Sequence, residues 1–289
     1  MDLKEKMDNI ALIIVFYHPT KEDIASAAEL SKYYNGIIID NSETASLPAQ
    51  INKMKYQCLH RNYGIAKAQN IGIQSLQDYN YIVFLDQDSR IDKDFPAEIA
   101  NEYRIIHNTY NLAFLGPTII NKDNGQEYNS VIHKNKYLND KFIIRKNIIS
   151  SGCCTSREVL KIIGLADESL FIDNVDNEWC WRAYKYGYIC GLTENIKLQH
   201  KIGNKYISIW AFKDIISSPF RYYYQYRNYL WLTRRKYVPF QWKILIGIKS
   251  FIRLIYFPIC IRNFRASYIE MLKGIKDGFK KQKPIIPKL

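Results

Sequence analysis

Two aspartates separated by one residue follow a short apolar run in YIVFLDQDSR, Tyr81 to Arg90. The run is rich in β-branched and aromatic residues, which is typical of a strand covered on both faces. In open α/β sheets ligands bind beyond the carboxyl ends of the strands, so Asp86 and Asp88 stand where chemistry is usually done. Taken alone, Asp-x-Asp-Ser is also ordinary turn chemistry, and these ten residues by themselves favour the turn.

A second pair of acids, Asp176 and Glu178, lies in VDNEWCWR, which spans residues 175–182. At the start of a helix such acids are favoured by the positive end of the helix dipole, and this explanation involves no chemistry. A positioned carboxylate can also accept the proton of a reacting hydroxyl group. Downstream, His200 in LQHKIG offers an imidazole, although a lone histidine is more often buried and bonded to the backbone. These residues by themselves do not separate catalysis from structure.

The first half of the chain alternates the patterns of strands and helices, which predicts a mostly parallel sheet covered by helices on both sides. Thr20 is placed as the N-cap of the first helix, and Ser156 and Gly164 bracket a later one. Strand patterns cover residues 10–19, 36–42, 54–61, 81–89 and 111–120, and helical patterns cover 20–34, 65–77 and 156–164.

Polar residues follow the first four of these strands. Because parallel strands end at the same edge of a sheet, we expect these residues to gather there and to form an edge suited to a ligand. They are Tyr17 and His18, Asp40 to Ser42, Arg61 and Asn62, and Asp86 to Ser89.

The composition is that of a globular protein, with 289 residues, 47% of them hydrophobic and 14% aromatic. No stretch approaches the roughly 18 uninterrupted apolar residues of a spanning helix. The start, MDLKEKMDNI, has no apolar segment of a secretory signal, so export is not expected. The six cysteines include no CxxC pair and no zinc-like spacing, which favours reduced thiols in a cytoplasmic protein.

The positive charge is concentrated in the last third of the chain. Residues 201–289 hold 19 lysines and arginines against three acids, a net +16, whereas the first 200 residues carry −3 of the total +13. A uniformly basic chain would suggest nucleic acid, and no nucleic-acid motif appears. A near-neutral body with a basic, aromatic tail instead predicts contact with an anionic membrane surface.

The segment KILIGIKSFIRLIYFPICIR, residues 243–262, has the pattern of an amphipathic helix. Lys249 and Arg253 are four residues apart on one face, with isoleucines and phenylalanines around the rest. The two charges and Pro258 argue against a spanning helix and favour one that lies in the membrane plane. The alternative is a helical pair that only covers the sheet.

Six segments, taken in order, resemble one protein family: VFYHPT, IIIDNSE, NYGIAKAQNIG and FLDQDS, then VDNEWCWR and LQHKIG. The order and spacing are similar to those of the family 2 inverting glycosyltransferases, over roughly residues 8–230. The resemblance is closest to bacterial rhamnosyltransferases, whose DxD motif often reads DQDS. It implies an α/β fold of the GT-A type, a Rossmann-like and mostly parallel sheet with helices on both faces.

The resemblance and the charge distribution together divide the chain. Residues 1–215 are expected to form the GT-A catalytic domain, with a nucleotide-binding part at about 8–115 and an acceptor part at about 116–215. Residues 216–289 are expected to form C-terminal basic amphipathic helices that associate with the membrane or contact the acceptor.

The resemblance also implies a divalent cation, Mg²⁺ or Mn²⁺. Transfer of a sugar from a nucleoside diphosphate separates an anionic diphosphate from an anomeric carbon, and a cation with oxygen ligands neutralises that charge. Asp88 corresponds to the direct metal ligand, and Asp86 faces the ribose and reaches the metal through water. His200 corresponds to a histidine that completes the metal shell in related transferases.

The nucleotide-binding half of the family assigns further residues. Asp40 corresponds to the acid that accepts a hydrogen bond from the pyrimidine N3–H, and Arg61 and Asn62 border the base. Gly64 and Asn70 belong to the motif where backbone approaches the nucleotide. Gly72 fits that motif and helix–sheet packing equally well. Tyr17, His18 and Gln87 are expected to line the same site, and His18 stands where many relatives have asparagine.

The acceptor half contains the expected base. Alignment through the Cys-Trp-Arg segment places Asp176 at the family's catalytic aspartate, with Glu178 as the alternative and Asp173 as a poorer third candidate. Trp179 and Arg182 on this helix are candidates for acceptor binding, as is Arg227 in RYYYQYRNYLWL. Each of these three fits a packing role as well.

The sequence thus predicts a metal-dependent inverting glycosyltransferase of bacterial surface polysaccharide synthesis, on the cytoplasmic face of the membrane as a peripheral protein. The expected donor is dTDP-rhamnose, with UDP-hexoses as the alternative, and the acceptor is a lipid-linked glycan. The sequence is compatible with a homodimer and does not decide the oligomeric state. A non-catalytic, basic membrane-binding protein on the same fold is the competing class. A sugar nucleotidyltransferase is disfavoured, because VFYHPTKED lacks a Gly-rich, Arg-containing phosphate loop.

Overall fold

The computed structural model describes residues 9–121, 136–137, 141–200, 206–209 and 212–289, with the backbone alone described at 121, 136–137, 200, 206–209 and 212–215. These residues form a ten-stranded sheet, a two-stranded hairpin and eight α-helices. The strands are β1 (Ile10–Phe16), β2 (Asn35–Asp40), β3 (Gln50–Ile51), β4 (Met54–Cys58), β5 (Tyr81–Asp86), β6 (Leu112–Asn121), β7 (Lys136–Tyr137), β8 (Phe142–Arg145), β9 (Cys154–Ser156), β10 (Ile189–His200), β11 (Tyr206–Ile209) and β12 (Phe212–Ile215). The helices are α1 (Lys21–Ser31), α2 (Ile65–Ser75), α3 (Phe95–Thr109), α4 (Arg157–Ile163), α5 (Val175–Lys185), α6 (Pro219–Thr233), α7 (Phe240–Cys260) and α8 (Arg265–Phe279).

The sheet has the order β3-β4-β2-β1-β5-β9-β6-β10-β8-β7. Strands β4, β2, β1 and β5 are parallel, as the alternating pattern predicts. The short strand β9 runs antiparallel between β5 and β6 and joins the two halves of the sheet. Sequence patterns do not predict β9, because three residues are too few to show a period of two.

Strand β1 shows why the sheet is covered on both sides. Its alternate residues enter two different hydrophobic clusters, Ile13 in one and Leu12 in the other, and every residue of the strand is buried. A strand that is apolar without alternation is stable only between two covering layers. The first helix begins where predicted, with the Thr20 hydroxyl accepting a hydrogen bond from the Asp23 N–H in a capping box.

The strand register brings three carboxyl ends to one edge. Phe16 at the end of β1 pairs with Asp40 of β2, and Val15 pairs with Asp86 of β5. The polar residues that follow these strands therefore share the edge that the sequence predicts.

The C-terminal helices α6, α7 and α8 pack around a separate apolar cluster that includes Tyr222, Phe257 and Met271. The chain then returns to the body, where the Glu168 N–H donates to the Ile285 carbonyl and the Leu165 N–H to the Pro287 carbonyl. The domain boundary at residue 216 stays a prediction. In the described part of the chain, none of the helices combines the length and the hydropathy needed to cross a membrane.

Candidate active site

A cleft of about 880 Å³ opens at the carboxyl edge of the sheet. Its floor comes from the ends of β1, β2 and β5, and one side comes from the loop before α5. Helices α6 and α7 supply another wall. Of the predicted residues, Tyr17, Asn62, Gly64, Asp86, Gln87 and Asp88 line this cleft.

The turn after β5 presents the two aspartates. The Asp86 N–H donates to the Ser89 hydroxyl at 3.2 Å, which closes the turn and leaves the Asp88 side chain exposed. Burial, together with the charges of Asp176 and Asp88, raises the pKa of Asp86 from 3.8 to about 7. A like charge raises the pKa of a carboxyl only from nearby, so the carboxylates of Asp176 and Asp88 lie close to that of Asp86.

Asp176 lies in the first turn of α5, and its carboxylate accepts a hydrogen bond from the Ser150 N–H at 3.1 Å. Burial raises its pKa from 3.8 to about 6, with a smaller opposing contribution from Arg221. A carboxyl with a pKa just below neutrality is ionised at neutral pH and still able to take a proton. Asp176 does not line this cleft but a separate small pocket, together with Phe84 and Trp179, and its charge is close enough to raise the pKa of Asp86.

The segment Ser150 to Gly152 connects the two sets of acids, and the sequence patterns did not single it out. Besides the Ser150 contact to Asp176, the Ser151 hydroxyl lies 2.7 Å from the Ser89 hydroxyl and hydrogen-bonds the Asp86 carboxylate. Gly152 has φ +73°, and a Cβ there would lie about 3 Å from side chains on three other segments. The sequence feature that could have indicated this segment is a run of small residues, Ser-Ser-Gly, just before a buried strand.

The loop before α5 has an unusual backbone. Phe171, Asp173 and Asn174 all have positive φ, between 63° and 67°. Such conformations persist in non-glycine residues only where the surroundings hold them. Here the buried Asn228 amide donates to the carbonyls of Leu170, Ile172 and Asp173 at 2.7–3.0 Å.

Arg227 holds the same loop. Its guanidinium donates to the carbonyls of Ser169 and Leu170 and lies over the rings of Tyr224 and Trp231. It is 9% exposed. The side chain therefore fixes the loop that leads to Asp176, and contact of Arg227 with the acceptor stays a prediction.

An Asn228→Ala variant is expected to lower kcat by about tenfold or more while leaving donor affinity within about twofold, since misplacing a catalytic group by about 1 Å costs up to about a hundredfold. Alanine leaves the carbonyls without their donor, so the loop can leave its left-handed conformations. Donor titration and single-turnover kinetics check this. Thr233→Ala is the matched control, because its hydroxyl bonds only within α6. A parallel loss of donor affinity would contradict a role confined to the loop.

At the nucleotide end of the cleft, Asp40 is enclosed by protein partners. Asp40 is fully buried, and its carboxylate accepts hydrogen bonds from the Ser42 N–H and from the hydroxyls of Ser46 and Tyr56. These partners lower its pKa against the effect of burial, so the group is an anion inside the fold, and its contact with a pyrimidine base stays a prediction. The next residue, Asn41, is one of the polar residues predicted to gather at this edge, and it lines the cleft.

Asn41, Asn62 and Gly64 form a connected group at this end. The Tyr63 N–H donates to the Asn41 side-chain oxygen at 3.2 Å, and the Gly64 N–H donates to that of Asn62 at 2.9 Å. Gly64 has φ +83°, and a Cβ there would meet the Phe171 carbonyl at 2.4 Å. The glycine is therefore required by close approach of the two loops.

Other predicted nucleotide residues have partners of their own. Gln87 accepts a hydrogen bond from the Tyr17 N–H at 2.7 Å and ties the ends of β1 and β5 together. His18 forms an exposed pair with Glu43 at 3.3 Å, and Arg61 lies over the Tyr63 ring. Their roles toward a nucleotide stay predictions.

Asn70 and Gly72 are packing residues of α2. Asn70 is fully buried, and its amide bonds both the N–H and the carbonyl of Ala166 at 2.9 Å. The amide therefore fixes the loop after α4, and the assignment of Asn70 to the nucleotide site stays a prediction. A Cβ on Gly72 would lie 2.8 Å from the Ile13 side chain, which favours the packing explanation for that glycine.

The remaining residues predicted on α5 are buried on its inner face. Glu178 is fully buried in a pair with Arg182, and Arg235 and the Tyr237 hydroxyl also contact it. Trp179 is 3% exposed and donates to the Gly164 carbonyl. Trp179 and Arg182 thus have the packing role that the sequence also allows. Their binding of the acceptor, and Glu178 as the alternative base, stay predictions.

A metal site would draw its oxygen donors from Asp86 and Asp88. In the parts of the chain that the structure describes, no group of three metal-binding side chains is assembled. The third predicted ligand, His200, ends β10, and its side chain lies outside the described residues. The chemistry of the two aspartates fits a hard divalent cation, since such a cation binds carboxylate oxygens and its charge would offset the repulsion that raises the pKa of Asp86.

Comparison with known proteins agrees with this geometry. Residues 16–162 match the family model described as Glycosyl transferase family 2. The chain is 34% identical over 280 residues to dTDP-rhamnosyl transferase RfbF of Shigella flexneri, which covers 92% of each chain. It is 24% identical over 212 residues, 67% of each chain, to low-salt glycan biosynthesis hexosyltransferase Agl10 of Haloferax volcanii.

Solved structures share the fold at low identity. S. aureus TarS in complex with UDP-GlcNAc aligns with a TM-score of 0.55 and 13% identity, over 94% of this chain and 82% of that one. GalNAc-T7 with UDP, GalNAc and Mn²⁺ aligns with a TM-score of 0.55 and 14% identity, over 94% of this chain and 54% of that one. The GT-A fold expected from the resemblance is confirmed, and the chain belongs to glycosyl transferase family 2 and is a glycosyltransferase.

Proposed function

We propose that this enzyme transfers rhamnose from dTDP-rhamnose to a lipid-linked saccharide in bacterial surface polysaccharide synthesis. The observation that carries the proposal is the 34% identity to a dTDP-rhamnosyl transferase over 92% of both chains. At that coverage the similarity includes the cleft and the C-terminal helices.

The chemistry follows from the cleft. An acceptor hydroxyl oxygen attacks the anomeric carbon, the bond from that carbon to the diphosphate oxygen breaks, and the configuration inverts. Asp176 takes the hydroxyl proton, and the Ser150 N–H holds its carboxylate in place. The loop held by Arg227 and Asn228 fixes the start of α5, so the base approaches the acceptor in one orientation.

Asp86 and Asp88 are the residues that would hold a divalent cation, with His200 as the predicted third ligand. When bound, Mg²⁺ or Mn²⁺ supplies positive charge to the leaving diphosphate. The raised pKa of Asp86 supports this assignment, because a cation in the cleft would offset the repulsion among the carboxylates.

The donor assignment is tested with a panel of dTDP-rhamnose, dTDP-glucose, UDP-glucose and UDP-GlcNAc. Release of nucleoside diphosphate is measured with Mg²⁺ or Mn²⁺ and a lipid-linked saccharide, and the product's anomeric configuration is read by NMR. We expect the highest kcat/KM with dTDP-rhamnose. A higher value with a UDP-hexose would reassign the donor. No turnover with any donor, together with unchanged nucleotide affinity in Asp88→Ala, would favour the non-catalytic class.

Membrane association at the cytoplasmic face, as a peripheral protein, is part of the proposal. Helix α7 carries a row of exposed apolar side chains, here called the α7 stripe. Exposed bases such as Arg262, Arg265 and Lys276 follow it along the chain. Two copies meeting through the stripe would bring these like charges together, whereas anionic head groups complement them. The stripe comprises Phe240, Ile244, Leu245, Ile248, Phe251, Ile252, Ile255 and Ile259.

Flotation with anionic vesicles tests this surface. We expect Ile248→Asp to reduce flotation at least about tenfold, since it places a charge in the apolar layer. Ile105→Asp is the control, because Ile105 on α3 is exposed to a similar extent, 58% against 53% for Ile248. Equal binding of Ile248→Asp and Ile105→Asp to the vesicles would contradict the membrane assignment. So would a wild-type dimer that Ile248→Asp abolishes, because the stripe would then be a contact between two copies.

A further inference from the structure

Three aromatic rings meet where the loop before α5 contacts the first turns of α6. Phe171 stacks on Tyr224, with ring centroids 4.7 Å apart and ring planes at 10° to each other. Phe220 packs edge-on against both rings, with its centroid 5.8 Å from that of Phe171 and 4.9 Å from that of Tyr224. Phe171 lines the cleft, so these three residues, here called the aromatic platform, lie at its rim.

The platform is open to solvent at Phe220, which is 48% exposed. Ser217 and Arg221, on either side of it in the sequence, line the cleft, so the exposed ring lies beside the cleft. Tyr224 is the support, since it also lies under the Arg227 guanidinium, 4.5 Å from the ring centroid. A single exposed phenylalanine is ordinary on a protein surface, but this one belongs to a cluster of rings at a cleft.

The backbone at Phe171 is strained. Its φ of 67° and ψ of −66° form a γ-turn of the rare positive-φ type, which the Ile172 N–H closes by donating to the Leu170 carbonyl at 2.8 Å. The Arg227 and Asn228 side chains hold this turn by donating to the same Leu170 carbonyl. Strain of this kind in a non-glycine residue is typical of positions that contact a ligand. It therefore favours a binding role for the Phe171 ring.

Polar residues line the cleft next to the platform. The Arg221 guanidinium pairs with the Asp173 carboxylate, and the Asn177 amide donates to the Asn174 side-chain oxygen at 2.9 Å. Carboxylate, amide and guanidinium groups together offer both acceptors and donors to hydroxyl groups. A flat apolar surface with a few polar groups beside it fixes the orientation of a ligand that has the same two features.

A sugar ring has both features, because the C–H groups of one face form an apolar patch and hydroxyl groups surround its edge. The position favours the acceptor's sugar over the donor's. In an inverting displacement the base and the incoming hydroxyl lie on the face opposite the leaving group. Phe171 belongs to the loop that leads to Asp176, whereas Asp86 and Asp88, the residues proposed for the cation and the diphosphate, come from the sheet edge.

We infer that the aromatic platform is a subsite for a sugar ring of the acceptor. The C–H face of the sugar packs against Phe171 and Phe220, and its hydroxyl groups face Asp173 and Arg221. This inference rests on the proposed function, because it requires a saccharide acceptor. The sugar of the donor and a membrane lipid are the competing ligands of an exposed ring at this place, and the test separates them.

The first arm measures saccharide binding without turnover. The probes are the methyl glycosides of rhamnose, glucose, galactose and N-acetylglucosamine, with dTDP and Mn²⁺ present. In saturation-transfer NMR with irradiation of the protein's aromatic signals, we expect at least one probe to receive saturation mainly at the C–H protons of one ring face.

Phe220→Leu keeps an apolar side chain and removes the ring, so it should reduce this transfer at least about threefold. Phe220→Tyr, which keeps the ring, should retain it. Phe279→Leu is the matched control, because Phe279 at the end of α8 is also an exposed phenylalanine, at 68%.

The second arm is kinetic and uses the lipid-linked saccharide that serves in the donor panel. Phe220→Leu is expected to raise KM for this acceptor about twofold to tenfold, the range for one aromatic contact. The kcat, and the Kd values of dTDP and dTDP-rhamnose, should stay within about twofold of wild type. This separation of KM from kcat distinguishes an acceptor contact from general damage to the site.

Four results would overturn the subsite. Wild type that transfers saturation to none of the probes would do so, and so would equal losses in Phe220→Leu and Phe279→Leu. A weaker Kd for dTDP-rhamnose but not for dTDP in Phe220→Leu would assign the platform to the donor sugar. Loss of vesicle flotation in Phe220→Asp, to the extent expected for Ile248→Asp, would assign the ring to the membrane.

The first arm needs no sugar transfer, so it separates the subsite from the proposed function. Failure of the proposed function alone would appear as zero turnover with every donor. Saturation transfer that depends on Phe220 would still support the subsite in that case.

Discussion

An Asp176→Asn variant is expected to lose about a hundredfold to ten-thousandfold in kcat, the usual effect of removing a general base. Asparagine keeps the shape of the side chain and can still accept the hydrogen bond from the Ser150 N–H. The loss should therefore come from the missing proton acceptor rather than from a displaced helix. Donor affinity, measured by titration with the nucleotide, is expected to stay within about twofold of wild type.

Glu178→Gln is the matched control, since it makes the same chemical change two residues away. Its carboxylate is buried with Arg182 and Arg235, so removing the charge should lower the free energy of unfolding by about 3–5 kcal/mol. At a temperature where the variant is folded, kcat should stay near that of wild type. The opposite pattern, with kcat lost in Glu178→Gln and kept in Asp176→Asn, would move the base to Glu178.

The pH dependence of the reaction provides a second test of this base. Because burial raises the pKa of Asp176 to about 6, the carboxyl is protonated below that pH and cannot accept a proton. Activity should therefore rise as pH increases through about 6 and level off above it. Residual activity of Asp176→Asn should lack this rise, and Glu178→Gln should retain it.

Asp88→Asn is expected to weaken Mn²⁺-dependent donor binding by at least about a hundredfold, beyond the 10–100-fold typical of residues that only support a metal ligand. An amide oxygen carries no net charge and holds a hard cation weakly. Titration of dTDP with and without Mn²⁺ measures the effect. Asp92→Asn is the control, an exposed aspartate shortly after the turn. Cation-dependent binding that survives in Asp88→Asn would contradict the assignment of the metal.

Asp86→Asn should change the melting temperature of the protein, and the direction of the change tests the cation site of Asp86 and Asp88. A carboxyl whose pKa rises from 3.8 to about 7 on folding holds its proton more tightly in the folded chain. The free energy of unfolding therefore decreases as pH increases from 3.8 to about 7. Above about pH 7 the carboxyl is ionised in both states, so this loss of stability stays constant. Without cation at pH 8, Asp86→Asn should melt at a higher temperature than wild type. Added Mn²⁺ should stabilise wild type and leave the variant nearly unchanged.

Local features of the site could be predicted where one segment determines them. The run before Asp86 is apolar without alternation, so it forms a buried strand, and the acids after it reach the sheet edge. Ser156 and Gly164 bracket α4 as expected, because a cap depends on neighbouring residues alone. Helical spacing likewise predicts that Lys249 and Arg253 share one face of α7, but only the tertiary structure shows that this face lines the cleft.

The pattern of one segment could not predict partners that come from distant segments. Asp40 has the residue type of a base-binding acid, and its own segment does not indicate that the hydroxyls of Ser46 and Tyr56 bond its carboxylate inside the fold. Asn70 likewise meets Ala166, nearly a hundred residues away.

The sequence by itself determined the parallel sheet, the edge where its acids emerge, the family and the basic C-terminal region, because periodicity, strand ends and charge are properties of contiguous residues. Only the tertiary structure decided which polar side chains face the cleft. Asp176 and Glu178 are two residues apart on one helix, and a helix turns about 200° over that distance. One carboxylate therefore stands beside Asp86, and the other pairs with arginines on the inner side.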